Sequence, residues 1–215
     1  MRSTRKWTAL MTGLTLALAL AFPAASRADT VALGPYGSVT WTLNAAGTVA
    51  SFVFSANSGY MLIDSNVADL NVNASSWTIG NFAVTQDTAD GFQAQPVGYP
   101  QSSGSGNVGN QVGQMNQTVT AFDGFGYGMT SISFDITNTA STWANTAAVL
   151  IANALGNILG AHFAICNGTC DPANMTTWTG FIGNTPLPPA ALLFGTALVG
   201  LGILGRRRKK EFPAA

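Results

Sequence analysis

Apolar and polar side chains alternate in several short stretches of this chain. Val39, Trp41 and Leu43 alternate with Ser38, Thr40 and Thr42, and Phe52 and Phe54 follow the turn-like Asn44-Ala45-Ala46-Gly47. Ile132, Phe134 and Ile136 alternate with Ser131, Ser133, Asp135 and Thr137, a clear period-two face that predicts a half-buried strand. Ala161, Phe163 and Ile165 predict a further strand, and Trp178 to Ile182 the last. Trp77 and Ile79 share one parity whereas Phe82 and Val84 share the other, so Gly80-Asn81 predicts a bulge or a turn. From Asn145 to Asn157 the apolar residues Ala147, Ala148, Val149, Leu150, Ile151, Ala154 and Leu155 predict the one short helix. A buried strand at Val149 to Ala152 fits nearly as well. Gly91 to Gln117, rich in Gly, Gln, Asn and Ser and containing Pro96 and Pro100, predicts a long irregular connection with room for short strands of its own. The fold class that follows is mainly β: an antiparallel β-sandwich body with polar outer faces and Gly/Asn turns.

Two apolar runs near the ends do not alternate. At the start, Arg2, Arg5 and Lys6 precede the apolar stretch Leu10 to Phe22, and Ala24-Ala25-Ser26-Arg27-Ala28 supplies small residues. This order predicts a secretory signal peptide over residues 1–28, cut after Ala28. Near the other end, Leu187 to Gly205 holds no charged, amide or acid side chain. At about 1.5 Å per helical residue this run predicts a transmembrane helix, on the short side for a hydrocarbon core of roughly 30 Å. Pro188 and Pro189 stand where a helix begins and a missing N–H costs least. The cations Arg206, Arg207, Arg208, Lys209 and Lys210 resist translocation, which predicts a cytoplasmic tail and a body on the other side. A core helix fits this run less well, because it is longer than most such helices. A plain single-pass anchor without processing remains a competitor.

The segment Thr185-Pro186-Leu187-Pro188-Pro189-Ala190, the apolar run and the basic tail together resemble the PEP-CTERM class of bacterial sorting signals, in its Val-Pro-Leu-Pro-Ala (VPLPA) variant. Thr185 replaces the usual Val and Pro189 is an added proline. The resemblance covers residues 185–210 and implies an exosortase, a membrane protease, as the handler. It also implies export to the inner membrane of a Gram-negative bacterium, then to the cell surface or an exopolysaccharide matrix such as that of a biofilm.

Charge sharpens this division into three parts. The chain of 215 residues has a formal net charge of zero, yet every Lys and Arg lies in the two terminal segments. The predicted body, residues 29–184, is long enough for one domain with a sizeable core. It carries Asp29, Asp64, Asp69, Asp87, Asp90, Asp123, Asp135 and Asp171 and no Lys, Arg or Glu, a formal charge of −8 with His162 neutral. A surface without cations lacks the electrostatic footprint that nucleic-acid binding needs, so nucleic acid is excluded as a partner. It also leaves the carboxylates without intrachain cationic partners, apart from His162 or a new amino terminus.

Candidate chemistry is sparse. Cys166 and Cys170 enclose Asn167-Gly168-Thr169, and in an exported chain this pair predicts a disulfide clipping the turn between the last two strands. His162 is the only histidine, and a strand places it opposite Phe163, as a half-exposed neighbour of the core. No nucleophile motif is present, and the body's Asp pairs sit in turn-like segments, so no catalytic residue is assigned. No cofactor is expected; calcium is the one cation left open, with Asp64, Asn66, Asp69, Asp87 and Asp90 as weak oxygen ligands and solvated turn carboxylates as the stronger explanation. Trp41 and Trp77 share parity with aliphatic neighbours and read as core, whereas Tyr99 and Tyr127, in Gly-rich surroundings, are better placed for exposed contacts. The function expected is a non-catalytic structural or interaction module of a cell surface or matrix. The alternatives are a secreted sugar-binding module or hydrolase using acidic loops, or a plain membrane-anchored protein.

Overall fold

In the computed structural model, residues 28–86 and 88–184 are described. All of the predicted signal peptide but Ala28, the motif Thr185 to Ala190, the apolar run, the basic tail and Asp87 lie outside them. The architecture is mainly β, with all strand pairs antiparallel. In chain order the strands are β1 (Ala28–Leu33), β2 (Gly37–Leu43), β3 (Val49–Ala56), β4 (Tyr60–Leu62), β5 (Ala68–Leu70) and β6 (Trp77–Thr85). After these come β7 (Gln101–Val108), a single α-turn α1 (Gly109–Val112), β8 (Gly113–Thr120), β9 (Ser131–Asn138), β10 (Leu159–Cys166) and β11 (Met175–Asn184). No helix among the described residues is long and apolar enough to cross a membrane.

Sheet A runs β1-β2-β3-β9-β6, and sheet B runs β11-β10-β5-β8-β7 with β4 also paired to β10. The two face each other across one core. Sheet A contributes Val39, Trp41, Phe52, Phe54, Ile132, Phe134 and Ile136, and sheet B contributes Leu62, Ala68, Leu70, Val119, Leu159, Ala161 and Phe163. The alternation in β2, β3 and β9 therefore points inward as the sequence predicts. The register pairs Phe52 with Phe134 and Phe54 with Ile132, and the rings of Phe52 and Phe54 each lie 5.8 Å from that of Phe134. The parity change in β6 is a bulge: the pairing with β9 shifts between Gly80 and Ala83, with Asn81 at φ 56°. The Asn81 amide bridges that bulge by donating to Asp135 Oδ2 at 2.8 Å.

Two expectations are corrected. The Asn145–Asn157 stretch is neither a helix nor a strand. It holds one 3-10 turn, Thr146–Ala148, and a lone bridge from Leu150 to Val72. Asparagine side chains account for this by taking the backbone groups a helix would use. Asn145 Oδ1 accepts from Ala148 N, Asn73 Nδ2 donates to Ala148 O, and Asn71 Nδ2 donates to Ile151 O. The Gly91–Gln117 stretch is less irregular than expected: β7, α1 and the start of β8 occupy residues 101–117. β7, Gln-Ser-Ser-Gly-Ser-Gly-Asn-Val, has no apolar alternation, because it is an edge strand exposed along nearly its whole length.

With no Lys or Arg between residues 28 and 184, amides do much of the tying together of loops. Asn116 closes a two-way bond with Val72, accepting from its N at 2.7 Å and donating to its O at 2.8 Å. Asn153 accepts from Leu155 N and Asn157 N while donating to Val112 O and Gln114 O.

Candidate functional site

The outer face of sheet B gathers the unusual chemistry of the described residues. On β10 the odd residues Leu159, Ala161 and Phe163 enter the core, so Gly160, His162 and Ala164 face outward. That outer face is not bare. One roof is the cluster Met61, Ile63, Phe92, Ala164, Cys166 and Met175, with Phe125 and Cys170 packed against it. A second is Val108, Val112 and Met115 with Phe181. Between these apolar patches lies a polar gap.

The loop joining β4 to β5, residues 63–67, arches over this gap. Asp64 and Asn66 hold φ values of 58° and 57°, a region that Asp and Asn tolerate better than most residues. The loop is pinned on both sides. Asp64 Oδ1 accepts from Gly124 N at 2.7 Å, and Ser65 O lies 3.2 Å from His162 Nδ1. The Asp64 carboxyl also meets that of Asp123. Its pKa is raised, first by burial and further by Asp123, against the opposing Gly124 N–H. Beside Asp123, Phe122 packs edge-on against Tyr99 at 5.3 Å and Tyr127 at 4.6 Å. Gln86 and Gln95 brace these rings: both donate to Tyr127 O, and Gln95 Oε1 accepts from Phe122 N.

Beneath the loop is Asp69, placed by β5 opposite Gly160 on one side and Thr118 on the other. It is 0 % exposed, and neither carboxylate oxygen has a hydrogen-bond partner. Burial raises its pKa well above the ordinary 3.8. The turn position expected for Asp69 is thus corrected: it is a strand residue under a roof. His162 is corrected too. It does point opposite Phe163, but at 6 % exposure it is buried, with its ring stacked 4.2 Å from Phe181 and Nε2 unpartnered. Burial lowers its pKa, offset by the Ser65 carbonyl and by the Asp123 charge.

The four described oxygen-ligand candidates do not form one set. Asp64 and Asn66 share the loop, Asp69 lies below it, and Asp90 ends the exposed 3-10 turn Thr88–Asp90. No group of three metal-type side chains occurs among the described residues. Tyr99 and Tyr127 do come together, through Phe122, but are half-buried rather than fully exposed. Cys166 and Cys170 form the expected disulfide, with Cα atoms 4.9 Å apart. Its loop leads from β10 toward β11, and Asp171 caps it by accepting from Ala173 N and Asn174 N. Sequence reasoning missed Gln86, Gln95, Phe122 and Asp123 because nothing local marks an amide or ring that acts across the fold.

Comparison with protein-family models, with curated proteins and with solved structures finds no match to this chain.

Proposed function

We propose that the chain is an exported protein of the cell surface or exopolysaccharide matrix, whose β body is a non-catalytic structural or interaction module delivered by exosortase-type sorting. The observation that carries the reading is the Cys166–Cys170 disulfide, since such bonds persist in oxidising compartments outside the cytoplasm. It agrees with the signal-peptide pattern before the body and the proline motif, apolar run and cationic plug after it. A body that closes its loops with neutral amides and carries only acidic charge suits a hydrated polymer layer, where its surface depends little on ion pairing. The test is cell fractionation followed by intact-mass measurement of surface material. Sorting requires loss of the signal peptide and of the C-terminal segment; retention of that segment selects the plain single-pass anchor.

A second reading, a sugar-binding surface, is favoured by the Tyr99–Phe122–Tyr127 group beside Asp64 and Asp123. Aromatic rings next to carboxyls suit the faces and hydroxyls of neutral sugars. Matrix polysaccharide retained by the protein and lost with Phe122→Ala would support it; equal retention by both would reject it.

A further inference from the structure

We propose that the turn of residues 151–157 seats on a lipid bilayer through Ile151 and Leu155, at the end of the body from which the chain leaves toward its apolar run. This docking rests on the reading of Leu187–Gly205 as a membrane span, and it lasts as long as that span stays attached. Four large apolar side chains are exposed among the described residues. Two of them, Ile151 at 50 % and Leu155 at 53 %, share this turn. Val53 lies on β3 facing away from the core, and Val97 lies in the loop that also carries Tyr99. Singly exposed apolar residues are ordinary on any surface, so position has to decide.

Position is set by the pairing of β10 with β11, which puts Leu159 opposite Asn184 and Gly160 opposite Gly183. The turn directly precedes this point and packs at the same end. A Cβ on Gly183 would lie 2.6 Å from Asn157 Oδ1, and one on Gly113 would lie 2.9 Å from Leu155 Cδ1. Asn157 Nδ2 also donates to Gln111 O and Val112 O of α1. Asn184 is the last described residue, three short of Leu187. At roughly 3.3–3.6 Å per extended residue, the apolar run therefore starts no more than about 11 Å away. A bilayer entered there faces the turn.

Charge is distributed to suit this orientation. Asp171 lies in the β10–β11 turn at the far end, and Asp90 precedes Gly91, whose Cβ would meet Pro172 Cδ at 3.8 Å. Asp123 follows β8, which runs away from Leu159, and Asp64 is bonded to Gly124 beside it. β10 has eight residues. Its length of about 25 Å, at roughly 3.3 Å per residue, puts Asp171 well beyond a Debye length of about 8 Å from a membrane at Leu159. Asp135 sits midway along β9, tied to Asn81. Asp29 is nearer the turn, since its partner Trp41 donates to Thr146 O. The predicted cut after Ala28 would place a new amino group on that same residue. No Lys or Arg occurs in residues 28–184, so the contact is apolar rather than an attraction to anionic headgroups.

The turn is suited to a poorly hydrated interface because its backbone is already paired. Ile151 N donates to Asn71 O while Asn71 Nδ2 donates to Ile151 O. Asn153 Oδ1 accepts from Leu155 N and Asn157 N, and Gly156 N and Asn153 N donate to Asn153 O and Asn157 O. Paired backbone groups lose little when water is removed. Both side chains are thus presented on a fixed scaffold. The span would hold them at high effective concentration against the lipid, so a small apolar contact suffices.

The test reconstitutes the full-length chain in phosphatidylcholine nanodiscs, with and without nitroxide-headgroup lipid, and compares amide signal intensities. Ile151 and Leu155 should lose most of their intensity to the nitroxide, while Val97, Asp171 and Phe134 keep theirs. In Ile151→Ser/Leu155→Ser the losses at residues 151–157 should largely disappear, with the chain still in the discs and its melting temperature unchanged. Losses no greater at Ile151 and Leu155 than at Val97 and Asp171, with the chain in the discs, would overturn the docking and leave the span standing. A chain that stays outside the discs would overturn the span and the docking together. Broadening of Ile151 and Leu155 that needs two copies per disc but no nitroxide would assign the turn to a second copy. Losses that appear only with phosphatidylglycerol would make the contact electrostatic. Either result overturns the proposal.

Discussion

Strands β9 and β10 are each eight residues long, but they sit in differently furnished sheets. β9, in sheet A, alternates buried and half-exposed residues without a break. β10, in sheet B, is buried at every position but Ile165. The difference lies above the sheets rather than in them. The outer face of sheet A at β9 carries Ser131, Ser133, Asp135 and Thr137, whereas that of sheet B is roofed by α1, the loop of residues 63–67, Phe92 and the disulfide turn. A sheet with one covered face needs hydrophobic residues on only one parity. A sheet covered on both must also place something on the second, and here that includes Gly160, His162 and Asp69.

Core truncation should damage the shared interior most. Phe134→Ala removes a ring that is 1 % exposed and contacts Phe52, Phe54 and Phe82. It should cost about 3–5 kcal/mol in chemical denaturation. The disulfide comes next and separates the sheets, since it clips only sheet B's roof. Replacing both Cys166 and Cys170 by Ser should lower stability by about 2 kcal/mol, the magnitude expected for so short a loop. A shift of the denaturation midpoint of that size with an unchanged slope is the expected result.

One substitution made in both sheets contrasts their outer environments directly. A Cβ on Gly160 would lie 2.6 Å from Val112 Cγ1, while one on Gly80 would meet nothing within 4 Å. Gly160→Ala should therefore cost roughly 1–2 kcal/mol through overpacking. Gly80→Ala should change stability by no more than about 0.5 kcal/mol. Equal melting temperatures for the two variants would remove the claimed distinction between an open face and a roofed one. The smallest effect belongs to Ser133→Ala on β9, within about 0.5 kcal/mol of wild type by the same measurement.

Legibility tracked this division. The inward faces of β2, β3 and β9 and the β6 bulge could be read from parity, because solvent on one side and core on the other impose a period of two. The disulfide was readable from spacing and the expectation of export. β7 was harder: Gln101–Val108 has little side-chain preference of its own and is strand because β8 offers it backbone partners. The Asn145–Asn157 stretch misled for the opposite reason. Its apolar residues suggested a helix, but Asn71, Asn73 and Asn145 reach its backbone and hold it in an irregular path.

By itself, the sequence determined the acidic character of residues 28–184 and their lack of Lys or Arg, the mainly β class and the inward faces of β2, β3 and β9. These depend on local composition and on periods a few residues long. Only the tertiary structure decided that Asp69 and His162 are buried on one face, that Asp64 meets Asp123, and that Tyr99, Phe122 and Tyr127 converge. Each of those depends on register across strands or on a roof supplied by a distant segment, and a carboxylate's surroundings are set by what folds over it rather than by its neighbours in the chain.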